Sequence, residues 1–340
     1  MARKRNWRIR LLLLVLAASL LTVSCTAKRR PKNPANPKKQ TPKQTEKQVK
    51  KPRLPRAIRT GGNKEPRLKV YIVKDKKIQE MPFEDYVAGV VAGEMKNDWP
   101  EESIKAQAII ARTFVLQFVD EKGKSRYGNA HISTDVEEAQ AWNAEEVNDR
   151  VRKAVRDTRG QVIVYDGKFA RAWFHSNAGG RTATPMEGLN YEEKEPPYIR
   201  VVDSPDMGDK VEDEAKSWSA KFPKTEVLAA AKESGKPVRD FHSISIGKKG
   251  PSGRAVTIKL DDTEVSAPEL RRALDPTKMR SNLLDRVALE GDQVVMSGKG
   301  FGHGVGMSQW GARTMAEQGK SAQDIINHYF RNVDVVKMWK

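Results

Sequence analysis

The chain has 340 residues, with 62 Lys and Arg against 44 Asp and Glu and a formal net charge of +18. Cys25 is its one cysteine, which excludes an intramolecular disulfide and a cysteine-held zinc cluster. The length suits one large domain, or a core with an inserted lobe, behind an N-terminal extension.

Residues 1–25 join a basic head, MARKRNWRIR, to the apolar run LLLLVLAASLLTVSC, the pattern of an export signal. The run is shorter than the roughly 20 residues that span a membrane. Leu21-Thr22-Val23-Ser24 before Cys25 resembles a bacterial lipoprotein box, with Thr22 where leucine is usual. Lipidation of Cys25 is the expectation, anchoring the chain to the outer face of a membrane. Simple cleavage with release and an uncleaved anchor are the alternatives, and all three place the protein outside the cytoplasm.

Residues 26–66 are rich in Lys, Arg, Pro, Gln and Thr and nearly free of apolar side chains. Such a stretch cannot bury a core, so a disordered tether is expected. Residues 1–69 hold 21 basic and 2 acidic residues, which leaves 41 and 42 for the rest. The positive charge thus belongs to the leader and tether, where it favours anionic lipid or wall polymer. Nucleic acid is not an expected partner, because an exported tail does not meet it and no aromatic residue interrupts the tail to stack on bases.

The folded body is expected over residues 67–340. Residues 68–73 alternate like an edge strand, and helices follow over 82–95 and 101–120. In the second, Ile104, Ala108, Ala111, Val115 and Phe118 form the apolar face, with Lys105 and Arg112 along a neighbouring side. A third helix starts at Asn143 or Ala144 and ends near Thr158. Residues 161–165 and 168–175 form a hairpin across Asp166-Gly167, a strong two-residue turn signal. Residues 185–215 read as irregular and acidic. A helix over 225–233, a hairpin of 241–246 with 255–260, a short helix over 267–274 and strands within 287–296 come next. Helices over 307–318 and 321–331 and a strand over 333–336 close the chain. Interspersed helices and antiparallel hairpins indicate an α+β fold in one large domain.

Three places invite chemistry. The first is Glu94, at the join of the first two helices. Phe83, Val87, Val90 and Val91 recur at helical spacing, and Glu94 lies three and four residues beyond Val91 and Val90, on the same apolar stripe. A carboxyl drawn out of water resists ionisation, as proton donation to a leaving oxygen requires. The plainer alternative is a glutamate that ends a helix and turns to solvent. Glu84 and Asp85 read as first-turn residues favoured by the helix dipole, and Asp98 as a residue of the solvated turn. The second place is the polar, glycine-rich stretch from His175 through Ser176, Asn177, Gly179 and Gly180 to Thr182. The third is GFGHGVGMSQWG, residues 300–311, where glycines around His303 allow close approach to a ligand and Ser308 or Gln309 can hydrogen-bond it. A structural hydrogen bond is the default for a lone histidine, but two histidines beside glycines point to a site. His131, His175 and His303 match no metal-ligand spacing, no phosphate-loop pattern is present, and no serine nucleophile elbow occurs.

The segments DYVAGVVAGEM with KAQAIIARTF, FHSNAGGRT, and GKGFGHGVGMSQWGA resemble, in order, the signature blocks of the stage II sporulation protein D / amidase-enhancer family. The resemblance spans about residues 69–335. It implies a lytic transglycosylase that cuts peptidoglycan glycan strands, preferring those stripped of stem peptides, with Glu94 as the catalytic acid. It also implies a glycan groove lined by His175, Ser176, Asn177, Gly179, Gly180, His303 and Gln309, with Arg112 as a weaker member. A wall amidase and a membrane protein are the implied partners, in sporulation and engulfment. Two departures stand out: Lys96 occupies a position that is often proline, and HISTDVEEAQAW lacks the cysteines by which some relatives hold zinc. No metal and no cofactor are therefore expected.

A single acid suits that chemistry. Hydrolytic glycosidases usually need two carboxylates, whereas the muramoyl 6-hydroxyl is an internal nucleophile that gains from high effective molarity. A non-catalytic glycan-binding enhancer of an amidase and a scaffold in a membrane complex are the alternatives.

Overall fold

The computed structural model describes residues 49–59 and 64–340. Cys25, the export signal and most of the expected tether lie outside the described residues. Residues 49–59 depart from the tether reading. Ile58, in a short 3-10 turn (Arg56–Ile58), is buried in an apolar cluster of the body, and Val49 and Leu54 pack against that cluster. Composition averaged over forty residues hides these three side chains.

Strand β1 (Arg67–Ile72) buries Leu68, Val70 and Ile72 on one face. It pairs antiparallel with β2 (Lys77–Pro82) through a turn in which Lys76 takes φ 51°. The first four residues of β2 are all exposed, so no alternation announces it in the sequence. Pro82 and Pro100 are the N-caps of α1 (Phe83–Glu94) and α2 (Glu101–Lys122). The expected stripes meet: Phe83, Val87, Val90 and Val91 share a cluster with Ile104, Ala108, Ala111 and Val115.

Two polar residues depart from expectation. Glu84 sits in the first turn as expected but is buried in an ion pair, and Arg112 is fully buried instead of lining a groove. Arg112 Nη2 and Nε donate to the Glu84 carboxylate at 2.6 and 3.1 Å, and Nη1 donates to the Ala108 and Gln161 carbonyls. The Gly160 N–H and the Trp339 indole N–H donate to the same carboxylate at 3.0 and 2.9 Å. Helical spacing cannot reveal such a partner, because it comes from another helix.

Strand β3 (Ile132–Ser133) runs parallel to β1. Helix α3 (Asp149–Asp157) starts later than expected, where the Asn148 side chain caps the Val151 N–H. The hairpin of β4 (Gln161–Tyr165) and β5 (Lys168–Phe169) turns at Asp166 and Gly167, with φ 47° and 73°. It ends at Phe169 rather than running to 175, and the separate strand β6 (Phe174–His175) pairs elsewhere.

After α4 (Pro185–Leu189) and α5 (Asp213–Lys216) comes an inserted lobe. It consists of β7 (Ser217–Pro223), α6 (Lys224–Glu233), β8 (Ile244–Ile246), β9 (Thr257–Leu260), β10 (Thr263–Ser266), α7 (Ala267–Ala273), β11 (Leu284–Glu290) and β12 (Gln293–Lys299). Two antiparallel sheets, β11-β12-β7 and β10-β9-β8, enclose a separate core with Phe222, Phe241, Ile258, Leu270 and Met296. The chain then returns through β13 (Met307–Ser308), α8 (Gln309–Glu317), α9 (Ala322–Tyr329) and β14 (Asp334–Lys337), which pairs antiparallel with β4. Ile109 and Ile110 of α2 cluster with Met307, Ala312, Ile325 and Ile326, so α2 is buried on both sides. The class is α+β, as expected. Among the described residues no helix is long and apolar enough to cross a membrane.

Removing Arg112 would strand a buried carboxylate, at a cost of about 3–5 kcal/mol. Urea unfolding of Arg112→Met is expected to show that loss, with part of it recovered in Glu84→Gln/Arg112→Met.

Candidate active site

Glu94 closes α1, where the Met95 N–H still bonds the Val91 carbonyl at 3.0 Å. Beside it, Gly93 lets another chain segment pass against the helix. A Cβ there would stand 2.8 Å from Trp142 N and 2.9 Å from the Ala141 carbonyl carbon. That approach brings the Ala141 N–H to Glu94 Oε1 at 2.7 Å. From the opposite side Gln309, the first residue of α8, donates from Nε2 to the Glu94 carbonyl at 3.0 Å. Burial pushes the Glu94 carboxyl up to about 7, and the Ala141 N–H and Gln309 keep it from rising further. Both protonation states are therefore populated at neutral pH, so this group can give a proton and take one back.

Glu94 faces a cleft of about 400 Å³. Of the residues named from the sequence, His175, Ser176, His303 and Gln309 line it, together with Gln140 and Arg271. Among the described residues that line it, Glu94 is the one carboxylate. The two histidines meet because β6 and β13 pair in parallel, Met307 with Phe174 and Ser308 with His175. Their ring centroids lie 5.6 Å apart. Gly306 permits this pairing: its φ is 76°, and a Cβ there would lie 2.0 Å from the Trp173 carbonyl oxygen.

Hydrogen bonding assigns the tautomers. His303 Nδ1 accepts the Val305 N–H at 3.0 Å, so its proton sits on Nε2. His175 Nδ1 donates to the Val305 carbonyl at 3.2 Å, which leaves Nε2 a bare acceptor, buried without a partner among the described residues. Burial, with Arg271 and Arg254 nearby, pulls His303 down to about 3. Burial, with His303 and Arg254, lowers His175 well below the usual imidazole range. Both rings are neutral at physiological pH. The Gln140 amide is also buried, and neither its oxygen nor its nitrogen has a partner among the described residues.

Four expected groove residues do not line this cleft. Arg112 is held by Glu84. Asn177 is fully buried and donates to the Asp206 carbonyl at 2.7 Å. The N–H groups of Ala178 and Gly180 donate to the Asp206 carboxylate at 2.7 and 2.8 Å, and that of Gly179 to Asn177 Oδ1 at 2.7 Å. Asp206 also accepts from Ser204 and Ser308 at 2.8 and 2.6 Å, tying the loop to β13. This loop is scaffold for the histidines rather than cleft wall. His131 accepts the Lys69 N–H beside β1 and does not line the cleft. Among the described residues no three of His, Cys, Asp and Glu are grouped as a metal site needs.

A family model described as Stage II sporulation protein matches residues 72–165, and one described as a domain of unknown function matches residues 191–306. The chain is 30% identical to Stage II sporulation protein D of Bacillus amyloliquefaciens, over 82% of this chain and 83% of that protein. It is 31% identical to an uncharacterized protein of Brachyspira hyodysenteriae, over 76% of this chain and 68% of that one. The Amidase enhancer of Bacillus subtilis is 27% identical, over 71% of this chain and 39% of its own length. The chain belongs to the stage II sporulation protein D / amidase-enhancer family.

In this family member two parts of the chain build the cleft together. Glu94 and Gln140 fall in the first matched stretch, Arg271 and His303 in the second. Gln140 and Arg271 carry no sequence signal of their own, since each reaches the cleft only through long-range packing. The nearest hint is the segment HISTDVEEAQAW, which ends beside the Ala141 N–H.

The cost of burying Glu94 depends on pH. Its carboxyl titrates near 4.5 when exposed and at about 7 in the fold. Between those values the folded chain holds the proton more tightly, so stability falls as pH rises through the window and stays lower above it. Glu94→Gln is expected to be more stable than wild type by about 1–3 kcal/mol at pH 8, and equal to it near pH 4. Urea unfolding at the two pH values checks this.

Proposed function

We propose that this protein binds peptidoglycan glycan strands in the Glu94 cleft and cleaves them as a lytic transglycosylase. The observation that carries the reading is one carboxyl, raised to about 7 and unaccompanied by a second carboxylate among the described residues of the cleft lining. Protonated Glu94 gives its proton to the glycosidic oxygen as the bond from that oxygen to the anomeric carbon breaks. The 6-hydroxyl of the same muramoyl residue then bonds to the anomeric carbon, and its proton passes to the Glu94 carboxylate. No water is consumed, the product ends in a 1,6-anhydro ring, and the acid is restored. The bare His175 Nε2 and the unpartnered Gln140 amide offer acceptors and a donor to sugar hydroxyl and acetamido groups. Trp173, Phe174 and Phe301 supply apolar surface for ring faces.

Family membership supports a glycan-binding, wall-remodelling role in sporulation beside a wall amidase; export to the membrane face and a membrane partner are part of the same proposal. Similarity to an amidase enhancer favours a second reading, in which the same cleft binds glycan without cutting it and presents wall to the amidase. Taken alone, the comparisons weigh towards this reading, and the geometry at Glu94 weighs towards cleavage.

The deciding experiment mixes the chain with peptide-free glycan strands and weighs the products by mass spectrometry. Ends lighter than reducing ends by one water are expected with wild type and not with Glu94→Gln. The rate should fall as pH rises through about 7, where the acid loses its proton. Reducing ends would mean a hydrolase. Binding without cleavage by either protein would establish the enhancer reading instead.

A further inference from the structure

Arg271 stands out once the chemistry at Glu94 has been assigned. It projects from α7 of the inserted lobe into the wall of the cleft. Among the described residues its guanidinium is committed only to main-chain carbonyls. Nε donates to Arg280 at 3.0 Å, Nη2 reaches Pro276 at 3.4 Å, and Nη1 has no hydrogen bond. No carboxylate among those residues pairs with it, and burial without a compensating anion pulls it down to about 10. It lies close enough to His303 to oppose a charge there, but it is not among the groups that act on Glu94. A second guanidinium, Arg280, sits over the Phe301 ring at 5.2 Å and donates to the Glu214 carbonyl. The Arg280 carbonyl in turn receives the Gly302 N–H at 2.8 Å. The cleft wall therefore carries the half-buried Arg271 guanidinium without an anion of its own among the described residues, and a second guanidinium stacks on the lining residue Phe301.

A half-buried guanidinium with a free Nη1 and a weakly held Nη2 presents the two-pronged face that suits a carboxylate. On a wall glycan the carboxylate nearest the scissile bond is that of the muramoyl lactyl ether. It is an anion only when no stem peptide is attached, because the peptide converts it into a neutral amide.

We infer that Arg271 is the residue that reads the free lactyl carboxylate, so that the inserted lobe selects peptide-stripped strands by charge. This rests on the glycan reading of the cleft. The matched domain of unknown function would then carry the specificity cation to an acid borne by the other part of the chain. Arg271 is a positioning and specificity residue, since no proton passes through it.

The test compares two ligands of the same length, peptide-free glycan strands and the same strands with their lactyl carboxylates converted to methylamides. Binding is measured on wild type and on Glu94→Gln, the latter to prevent consumption of the strands. The free-acid strands are expected to bind about tenfold tighter than the methylamides, a gap that shrinks with added salt. Arg271→Gln should bind both strands equally, at the level of the methylamide, and Arg271→Lys should keep part of the gap. Equal binding of the two strands by wild type would overturn the inference while leaving the glycan reading intact. Persistence of the gap in Arg271→Gln would do the same, because the charge would then be read elsewhere. Absence of binding to either strand by wild type would overturn both.

Discussion

The buried pair of Glu84 and Arg112 is the contact on which the position of the acid depends. Four donors from three other parts of the chain converge on one carboxylate: Nε and Nη2 of Arg112, the Gly160 N–H and the Trp339 indole. They join the start of α1 to the middle of α2, the entry to β4 and the C-terminus. Glu94 lies ten residues further along the same helix, about 15 Å away at helical rise. A helix clamped at one end by a fully matched carboxylate presents the other end as a fixed object. Glu94 itself receives one main-chain N–H and is left half-buried. The two glutamates have the same chemistry and opposite surroundings, and the difference separates a fully paired charge from a carboxyl pushed up to about 7.

A second constraint sets the opposite wall. Asp206 is fully buried and gathers the N–H groups of Ala178 and Gly180 with the hydroxyls of Ser204 and Ser308. This holds the loop after β6 against the start of α8, so that His175, Ser176 and Gln309 face Glu94 together. The glycines flanking these residues serve the backbone more than the ligand: they let two chain segments run closer than any side chain permits. The residue types expected to touch glycan are thus divided between those that line the cleft and those that hold the liners.

Local pattern made the frame readable. The stripe of Phe83, Val87, Val90 and Val91, the apolar face of α2 and the Asp166-Gly167 turn each follow from spacing within a few residues, and the structure has them where spacing puts them. The position of Glu94 on that stripe was legible for the same reason. What spacing could not supply was pairing between distant segments. β6 leaves its expected hairpin to run beside β13, which no propensity encodes. The family resemblance placed Arg112 in the groove, and its neutralising partner, Glu84, read only as a first-turn residue favoured by the helix dipole. Gln140 and Arg271 look like ordinary polar residues of their own loop and helix, and become site residues only when the inserted lobe closes on the helical core.

On the proposed transglycosylase reading, that closure explains why one carboxyl can serve. A hydrolase must place two acids around the bond and keep both in workable protonation states, which in a narrow cleft sets like charges against each other. An intramolecular nucleophile removes the need for the second acid and leaves room for groups of other kinds. The space is taken here by neutral histidines, an amide and a guanidinium. Neutral rings beside Glu94 neither stabilise its anion nor compete for its proton, so burial governs its titration. On the proposed reading, the Arg271 guanidinium would attract substrate charge from the inserted lobe while burial governs the acid. That reading puts proton transfer and substrate recognition on separate groups, one carried by α1 of the core and the other by α7 of the inserted lobe.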